Sequence, residues 1–408
     1  MRLNDIKFTK GNGGMGRKAA SEDPVSALLF AGMSLTFGSA DGNLKGFDVL
    51  SLDDDTPAAY VRKFEFAEQL EDAGIIRTEY DGTTALTAAQ QATNVLHYHA
   101  KEFFRMSETG TLYLVVKAGT AAVTAADIAD VQNYSGGRIR QAGVFTPALL
   151  TPSAVQEQCV AQETAHMPLS VVLTYSGKTV ETATLTAATL KAKGLSNVSV
   201  LVGCDFSTVK AAELGDFAYY GCIGTAIGAI SAAAVNESIA WVQKFPLGFA
   251  NPALFNGALM RTIGEADKAL LNNNYIFVLT HVGDADCYFN DSHTLDVVTS
   301  DYAYIENVRT IDKACRGIRE AMLPYLNAPL KVDASTGKLS ADVVAHLETV
   351  ASEPLDQMEK AGELSGFSCE IDPEQNVLAT SEVEVVIKQV GVGVMRHVSV
   401  KIGYTTSI

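Results

Sequence analysis

The six cysteines of this 408-residue sequence form no close pairs, because no two of them are fewer than 18 residues apart. The CxxC pair that structural zinc sites and dithiol redox centres use is therefore absent. Most of the cysteines lie beside apolar residues, as Cys204 and Cys222 do. This pattern favours buried free thiols in a reducing compartment over a disulfide framework.

Basic residues are also scarce, and this limits the classes of partner. The chain has 31 Lys and Arg against 47 Asp and Glu, a net charge of −16. Such a surface repels phosphate groups, so we expect no binding to nucleic acid or to anionic lipid. The most apolar run, residues 219–234, contains glycines and is shorter than the ~20 residues of a membrane span. No hydrophobic signal segment follows Met1, so we expect no membrane insertion. We expect the chain to assemble in the bacterial cytoplasm.

Residues 1–24 are polar and rich in glycine, and we predict that they form an N-terminal arm. Their one short apolar pattern consists of Leu3, Ile6 and Phe8. So small a pattern cannot bury much surface by itself. The segment is therefore either a flexible tail or an arm that pairs elsewhere.

Residues 25–274 alternate between strand-like and helix-like patterns. Short Val- and Leu-rich runs predict buried strands at residues 112–116, 139–145, 169–173 and 198–202. Apolar residues at helical spacing predict helices at residues 58–73, 87–106, 125–134, 152–165, 184–193 and 222–242. The alternation favours an α/β domain with a largely parallel sheet, of one or two subdomains.

Residues 275–408 change character, and we predict that they form a C-terminal α+β domain. A strand at residues 275–280 precedes a strongly periodic helix at residues 307–322, with Lys313, Arg316 and Arg319 off its apolar stripe. A further helix follows, and Pro354 is expected to break or restart it.

The clearest strand pattern lies at the end of the sequence. Val383, Val385 and Ile387 share one face of residues 382–388. After Gly391-Val-Gly393 the alternation resumes, and its apolar positions are Val398, Val400, Ile402 and Tyr404. A period of two on both sides of a glycine-containing turn predicts a terminal antiparallel β-hairpin.

The motifs that could carry chemistry are weak. Residues 11–16 match the GxGxxG spacing of a dinucleotide-binding turn, but the following residues predict a turn at Asp23-Pro24 instead of the required helix. No P-loop and no nucleophile motif is present. We therefore expect no cofactor and no catalysis. A soluble α/β enzyme or ligand-binding protein with an unrecognised site is the alternative.

Two polar groups resemble metal sites without completing one. His97 and His99 are two residues apart in a predicted helix and so point in different directions. Asp284, Asp286, Asp291 and His293 form the densest polar cluster, but they lack the EF-hand spacing. A solvated loop is the simpler interpretation of this cluster, and no metal is expected.

The C-terminal third resembles contractile tail sheath proteins of phages and related injection systems. The resemblance rests on ordered features: the strand at Tyr275, the helix entry at residues 302–312, the small-residue turn at residues 362–366 and the terminal strands. Residues 5–11 are also similar to the openings of a divergent, prophage-type branch of such proteins. A glycine turn at residues 391–393 replaces the proline that is usual in the family.

The resemblance implies a subunit that polymerises helically around an inner tail tube protein and contracts without a cofactor, in a virion tail or injection particle. Further partners are baseplate and tail terminator proteins, and a tail or baseplate component is an alternative function. Terminal arms in this family add strands to sheets of neighbouring copies. The residues implied for such arms here are Leu3, Ile6, Phe8, Val383, Val385, Ile387, Val398, Val400, Ile402 and Tyr404.

Overall fold

The computed structural model describes residues 22–404 except 39, 41, 42, 54, 55, 120, 189 and 192. Its strands are β1 Val25–Met33, β2 Asp48–Asp53, β3 Thr56–Phe64, β4 Thr111–Ala118, β5 Gln141–Thr146, β6 Ser170–Tyr175, β7 Val198–Leu201, β8 Gly203–Asp205, β9 Pro252–Leu254, β10 Tyr275–Ile276, β11 Val278–Thr280, β12 Cys287–Phe289, β13 Leu364–Glu370 and β14 Val386–Gly391.

The same residues contain twelve α-helices and two 3-10 helices, at Gly215–Tyr219 and Leu323–Tyr325. The α-helices are α1 Gln69–Asp72, α2 Ala88–Met106, α3 Ala125–Tyr134, α4 Pro152–Thr164, α5 Thr182–Ala187, α6 Thr208–Leu214, α7 Ile223–Ala232, α8 Met260–Ile263, α9 Ala266–Asn272, α10 Ile305–Met322, α11 Ala341–Lys360 and α12 Val377–Thr380.

One eight-stranded sheet organises the chain, in the order β10-β7-β6-β5-β1-β4-β3-β2. The six strands from β10 to β4 are parallel, and β3 and β2 add an antiparallel edge. The predicted mixed α/β fold with a large, mainly parallel sheet is confirmed. Small antiparallel pairs lie outside it, β8 with β9, β11 with β12 and β13 with β14.

Strand β1 lies at the centre of this sheet and is buried along almost its whole length. Leu28 and Phe30 belong to the core on one face, and Ala27, Leu29 and Ala31 to the core on the other. Because helices cover both faces, the strand is a continuous apolar run with no polar alternation.

Helices α2 and α7 cover one face and touch at two glycines of α7. A Cβ atom on Gly224 would lie 2.0 Å from the His99 carbonyl oxygen, and one on Gly228 would lie 2.7 Å from that of Phe103. Only residues without a Cβ allow the two helix backbones to approach so closely. Helices α3 and α4 supply core residues such as Ile128 and Val155 on the opposite face.

Three predictions in this region are wrong. Residues 58–64 form strand β3, not a helix, because they pair with β4; Gly74 does follow the short helix α1, at φ +78°. Helix α7 ends at Ala232, ten residues before the predicted end. The predicted domain boundary at residue 275 is also displaced, because Tyr275 and Ile276 pair with β7 inside the large sheet.

Helices α10 and α11 pack together beyond the sheet. Pro354 lies inside α11 without ending it, which corrects the predicted break. Gly317 of α10 faces this proline, and a Cβ atom there would lie 2.8 Å from the Pro354 Cβ atom. Strands β13 and β14 pack against this helix pair, and we call them the terminal sheet. Leu355 and Met358 of α11 form a small core with Leu364 of β13.

Candidate assembly surface at the chain ends

The terminal sheet has two strands and two unpaired outer edges within the described residues. Strand β13 pairs antiparallel with β14, and Cys369 lies opposite Ile387 and Gly366 opposite Val390. No third strand joins either side in residues 22–404. Each outer edge therefore presents backbone N–H and C=O groups to which another extended segment can bind.

The inner face of β14 and of the preceding residues is used within the chain. Val383 and Val385 pack on a core that contains Leu347 of α11, and Ile387 packs on the core around Leu355. The predicted alternation of these residues is thus present. Their expected role as arm residues stays a prediction, and in the subunit their side chains are half-buried against their own chain.

Residues 392–404, the C-terminal arm, follow β14 as extended chain without strand pairing. The predicted terminal hairpin is wrong, because β14 pairs with β13, which precedes it in sequence, and residues 391–393 do not turn the chain back. Val398 is 67 % exposed, Val400 77 % and Ile402 96 %, and Tyr404 is fully exposed. The alternating apolar face of this arm is exposed and has no cover among the residues that the structure describes.

Arg396 fixes the base of the C-terminal arm. Its Nε atom lies 3.0 Å from Asp291 Oδ2, and its second guanidinium nitrogen lies 2.5 Å from Glu306 Oε1. The guanidinium carbon is 3.4 Å from the centre of the Tyr304 ring, which adds a cation–π contact. The arm is therefore held at residue 396 and free beyond it.

The charges at this base are partly desolvated. Burial raises the pKa of the Glu306 carboxyl, and Arg396 offsets part of that rise. Burial lowers the pKa of Arg396, but Asp291 and Glu306 together hold it above its ordinary value. A Ser292 hydroxyl donates to Glu306 at 2.5 Å. Removing one partner would leave a buried charge without compensation.

A cleft of about 940 Å³ opens beside this base. Residues 392–397 form one wall, and the other walls include the chain's single tryptophan, Trp241, together with Leu271, His281 and Val298. Trp241, Leu271 and Val298 are all exposed apolar side chains. The cleft therefore has a mixed apolar and polar lining, and its titratable side chains include Glu237 and the pair Asp291 and His293, whose Oδ2 and Nε2 atoms lie 3.6 Å apart.

The N-terminal arm residues Leu3, Ile6 and Phe8, and the GxGxxG match at residues 11–16, lie outside the described residues. The described chain starts just before β1. There Asp23 accepts from Lys313 at 2.8 Å and from Arg316 at 2.9 Å, both on α10. Glu22 pairs with the buried Arg140. The point where the N-terminal arm joins the sheet is thus also held by ion pairs.

The weaker chemical candidates are used structurally. His99 is buried between Phe30 and Phe145, and burial lowers its pKa to about 3. Asp284 accepts from the Tyr288 hydroxyl at 2.9 Å in an exposed loop, whereas Asp291 belongs to the Arg396 contact. Among residues 22–404 apart from the gaps, no three His, Cys, Asp or Glu side chains form a group that could hold a metal ion.

Cys159, Cys204, Cys222 and Cys287 are buried free thiols, and burial raises the pKa of Cys159 and Cys204 to about 12. Such thiols are unreactive at neutral pH. Within the described part of the chain, no helix has the length and apolar character of a membrane span.

Sequence reasoning missed Arg396 and the ion-pair partners of Lys313 and Arg316. It treated the two α10 residues as polar positions off the apolar stripe, although both pair with Asp23, which lies about 290 residues earlier. Helical spacing was the only local signal: Glu306, Arg309, Lys313 and Arg316 recur at intervals of three and four residues, the spacing of one helix face.

Solved structures with a similar fold are protein chains of contractile particles. A chain of the anti-feeding prophage (AFP) baseplate matches with a TM-score of 0.59 and 11 % identity over 100 % of both chains. The AFP helical sheath in its contracted state matches with a TM-score of 0.58 and 14 % identity over 100 % of both. The contracted PVC sheath complex of an extracellular contractile injection system gives 0.56 and 11 %, over 98 % of this chain and 99 % of that one.

These identities are low, so the likeness shows the fold. The predicted resemblance to contractile sheath proteins is confirmed at that level. A search of the curated proteins finds no match. Two family models cover nearly the whole sequence, the DUF2586 N-terminal domain at residues 3–293 and the DUF2586 C-terminal domain at residues 301–408. The chain therefore belongs to the DUF2586 family.

Proposed function

We propose that this chain is a structural subunit of a contractile tail sheath or injection particle. Copies of it assemble in the bacterial cytoplasm into a helical tube around an inner tail tube protein, between a baseplate and a tail terminator. Contraction then drives the inner tube through a cell envelope. The chain acts without a cofactor and is not an enzyme in this proposal.

The observation that carries the proposal is the unpartnered C-terminal arm beside the terminal sheet. The arm exposes Val398, Val400 and Ile402 on one alternating face, and β13 and β14 expose two unpaired edges. If the arm of one copy adds a strand to the terminal sheet of another copy, it covers the exposed apolar face of the arm and pairs an open edge of the sheet. Because donor and acceptor are different surfaces, the contact repeats head to tail, and it yields a ring if the rotation closes and a helix if it does not.

The full-length match to sheath and baseplate chains supports the same conclusion. A strand link consists of backbone hydrogen bonds and is independent of the side chains around it. Rigid subunits can therefore rotate while such links stay intact. An extended lattice that is kinetically trapped relaxes to a better-buried packing without nucleotide hydrolysis.

Deletion of residues 397–408 tests the proposal. It removes the arm beyond the Arg396 contact and leaves the large sheet untouched. We expect the full-length chain to form hollow tubes or stacked rings by negative-stain microscopy at high protein concentration, and the deletion variant to stay monomeric with an unchanged far-UV circular dichroism spectrum.

A matched control keeps the arm length but removes its apolar face. The variant Val398→Ser, Val400→Ser, Ile402→Ser retains every backbone donor, so we expect weaker polymers instead of none. Polymers of the deletion variant that equal those of the full chain would contradict the arm hypothesis. Absence of polymers from the full chain in the presence of its tube protein and baseplate would contradict the sheath function.

A baseplate subunit is the second candidate, because the AFP baseplate chain matches as well as the AFP sheath does. The two differ in stoichiometry. A sheath subunit grows into tubes of unlimited length, whereas a baseplate subunit forms one closed ring. The length distribution of the polymers in negative-stain images separates them.

A further inference from the structure

Helix α10 carries four charged residues on one face, at positions 306, 309, 313 and 316. We call Glu306, Arg309, Lys313 and Arg316 the polar seam. Their spacing of three and four residues places them along one side of the helix. Glu306 and Arg309 are buried, and Lys313 and Arg316 are partly buried. Charged residues are seldom buried along a helix unless each has a partner.

The first residue of the polar seam holds the C-terminal arm. Glu306 binds Arg396 at 2.5 Å, in the first turn of α10. Tyr304, the residue before the helix, lies under the same guanidinium. The C-terminal arm is therefore anchored to the start of α10.

The last two residues of the polar seam hold the other end of the chain. Lys313 and Arg316 bracket Asp23, at 2.8 and 2.9 Å, immediately before β1. Lys313 also binds Glu363, at 2.6 Å, just before β13 of the terminal sheet. Asp23, at the point where the N-terminal arm joins β1, and the terminal sheet are therefore anchored to the second half of α10.

Arg309, between these two anchors, joins α10 to the segment that follows α7. It donates to the Ala233 carbonyl at 3.2 Å and to that of Ala234 at 3.3 Å, just past the end of α7. Carbonyls at a helix C-terminus are partly negative and favour a cation. Ser231 of α7 donates in turn to the Pro24 carbonyl, at 3.0 Å.

We infer that α10 is the mechanical link between the two arms: its polar seam ties both arms and the terminal sheet to one helix, so that pull on either arm reaches the other through α10. The inference rests on the proposed arm exchange, and it deepens it by naming the residues that transmit load inside a subunit. Asp23 and Arg396 are positioning residues, because they fix where each arm leaves the rigid body.

The first experiment uses the monomer and does not depend on polymerisation. Arg396→Gln is expected to free the cleft wall at residues 392–397, so that the Stern–Volmer constant for acrylamide quenching of Trp241 rises at least about twofold. Asp23→Asn is expected to speed hydrogen exchange of the Thr111 amide at least about tenfold, because that amide donates to the Pro24 carbonyl.

Arg319→Gln is the matched control, because Arg319 is an exposed cation on the same helix and makes no ion pair in the described part of the chain. It should change neither readout. Arg396→Lys keeps the positive charge but loses the planar guanidinium that binds Asp291 and Glu306 together. Its Stern–Volmer constant should lie between those of the parent chain and of Arg396→Gln. Values for Arg396→Gln and Asp23→Asn equal to those of Arg319→Gln would overturn the anchoring of the arms.

The second experiment tests the link in polymers. If both arms pull on one helix, they act in series, and breaking one anchor already breaks the load path. We expect Asp23→Asn and Arg396→Gln each to shorten the mean polymer length, and the double variant to be no shorter than the more affected single variant. Multiplied effects in the double variant would show two independent links and overturn the inference.

Failure of the proposed function gives a different result. A full-length chain that never polymerises, with Trp241 quenching and Thr111 exchange still altered by the two substitutions, contradicts arm exchange but retains the anchors. A chain that polymerises with wild-type length in both variants contradicts the polar seam and retains arm exchange.

Discussion

Strand β1 and the C-terminal arm have similar side chains and opposite surroundings. Residues 25–33 are buried between β4 and β5 and covered on both faces by helices. The alternate apolar positions of residues 398–404 have a similar aliphatic and aromatic character but lie exposed, with no strand beside them in the described part of the chain. Exposed apolar faces of this kind are typical of interaction surfaces. The contrast separates the residues that fold the subunit from those we propose join subunits.

Among the substitutions that distinguish folding residues from proposed joining residues, the pair Leu28→Ala and Ile402→Ala should show the largest difference. Leu28 is fully buried, so its truncation should lower the free energy of unfolding by about 3 kcal/mol. Ile402 is 96 % exposed, so its truncation should change that energy by less than about 0.5 kcal/mol while weakening polymers. Urea unfolding and negative-stain microscopy measure the two effects. A large stability loss in Ile402→Ala would show that the arm packs on its own chain.

Proline substitutions in the arm sharpen the comparison at the backbone level. A strand with one neighbour donates from alternate N–H groups only, and proline removes one such donor. Scanning proline through residues 398–402 should therefore reduce polymer yield with a period of two. Equal losses at Ser399 and Val400 would contradict a strand with a single neighbour. The monomer's unfolding midpoint should be unchanged in all five variants.

Asp312, a buried residue of α10, makes the stability of the folded subunit depend on pH. Burial raises its pKa from 3.8 to about 7. The folded chain thus keeps a proton that the unfolded chain has lost, and the contribution of Asp312 to stability falls as the pH rises from about 4 to about 7, by at most about 1.4 kcal/mol per pH unit. Above that range its contribution is constant.

Asp312→Asn should flatten this decline. Urea unfolding between pH 5 and 8 measures the difference from the parent chain, and Asp342→Asn on the exposed start of α11 is the control. A pH profile of Asp312→Asn that is parallel to that of the parent chain would contradict the buried, protonated carboxyl.

Gly317→Ala should have the smallest effect, about 1 kcal/mol of destabilisation. The new Cβ atom would lie 2.8 Å from Pro354, which outweighs the gain in helix propensity. Gly393→Ala is the control, because nothing lies within 4 Å of a Cβ there. Thermal unfolding compares them, and an increase in the melting temperature of Gly317→Ala would show that α10 and α11 can separate at this point.

Long elements with strong local signals were predictable from the sequence. The range predicted for the helix at residues 125–134 is that of α3, and α2 starts one residue after the predicted position, where Thr87 and Gln90 form a capping box. The buried strands of the parallel sheet were found at four positions because Val and Leu cluster in them. The sheath-type fold was predicted from the order of elements in the last third.

What failed depended on partners distant in sequence. Residues 58–64 have helical spacing, but pairing with β4 makes them a strand. Strand β14 pairs with β13 and not with the arm that follows it, so local alternation gave the wrong hairpin. The seam residue Lys313 lies off the apolar stripe as predicted, but nothing near it in sequence identifies Asp23 as its partner.

Strand β10 has a consequence for specificity of association. It forms one outer edge of the large sheet and consists of only two residues, Tyr275 and Ile276, both buried. So short an edge offers too few backbone groups for a stray strand to bind, which is a common defence against aggregation. Under the arm exchange that we propose, a subunit that polymerises through the terminal sheet needs its other edges to be poor templates. Lengthening β10 would therefore be expected to produce amorphous aggregates in competition with ordered tubes.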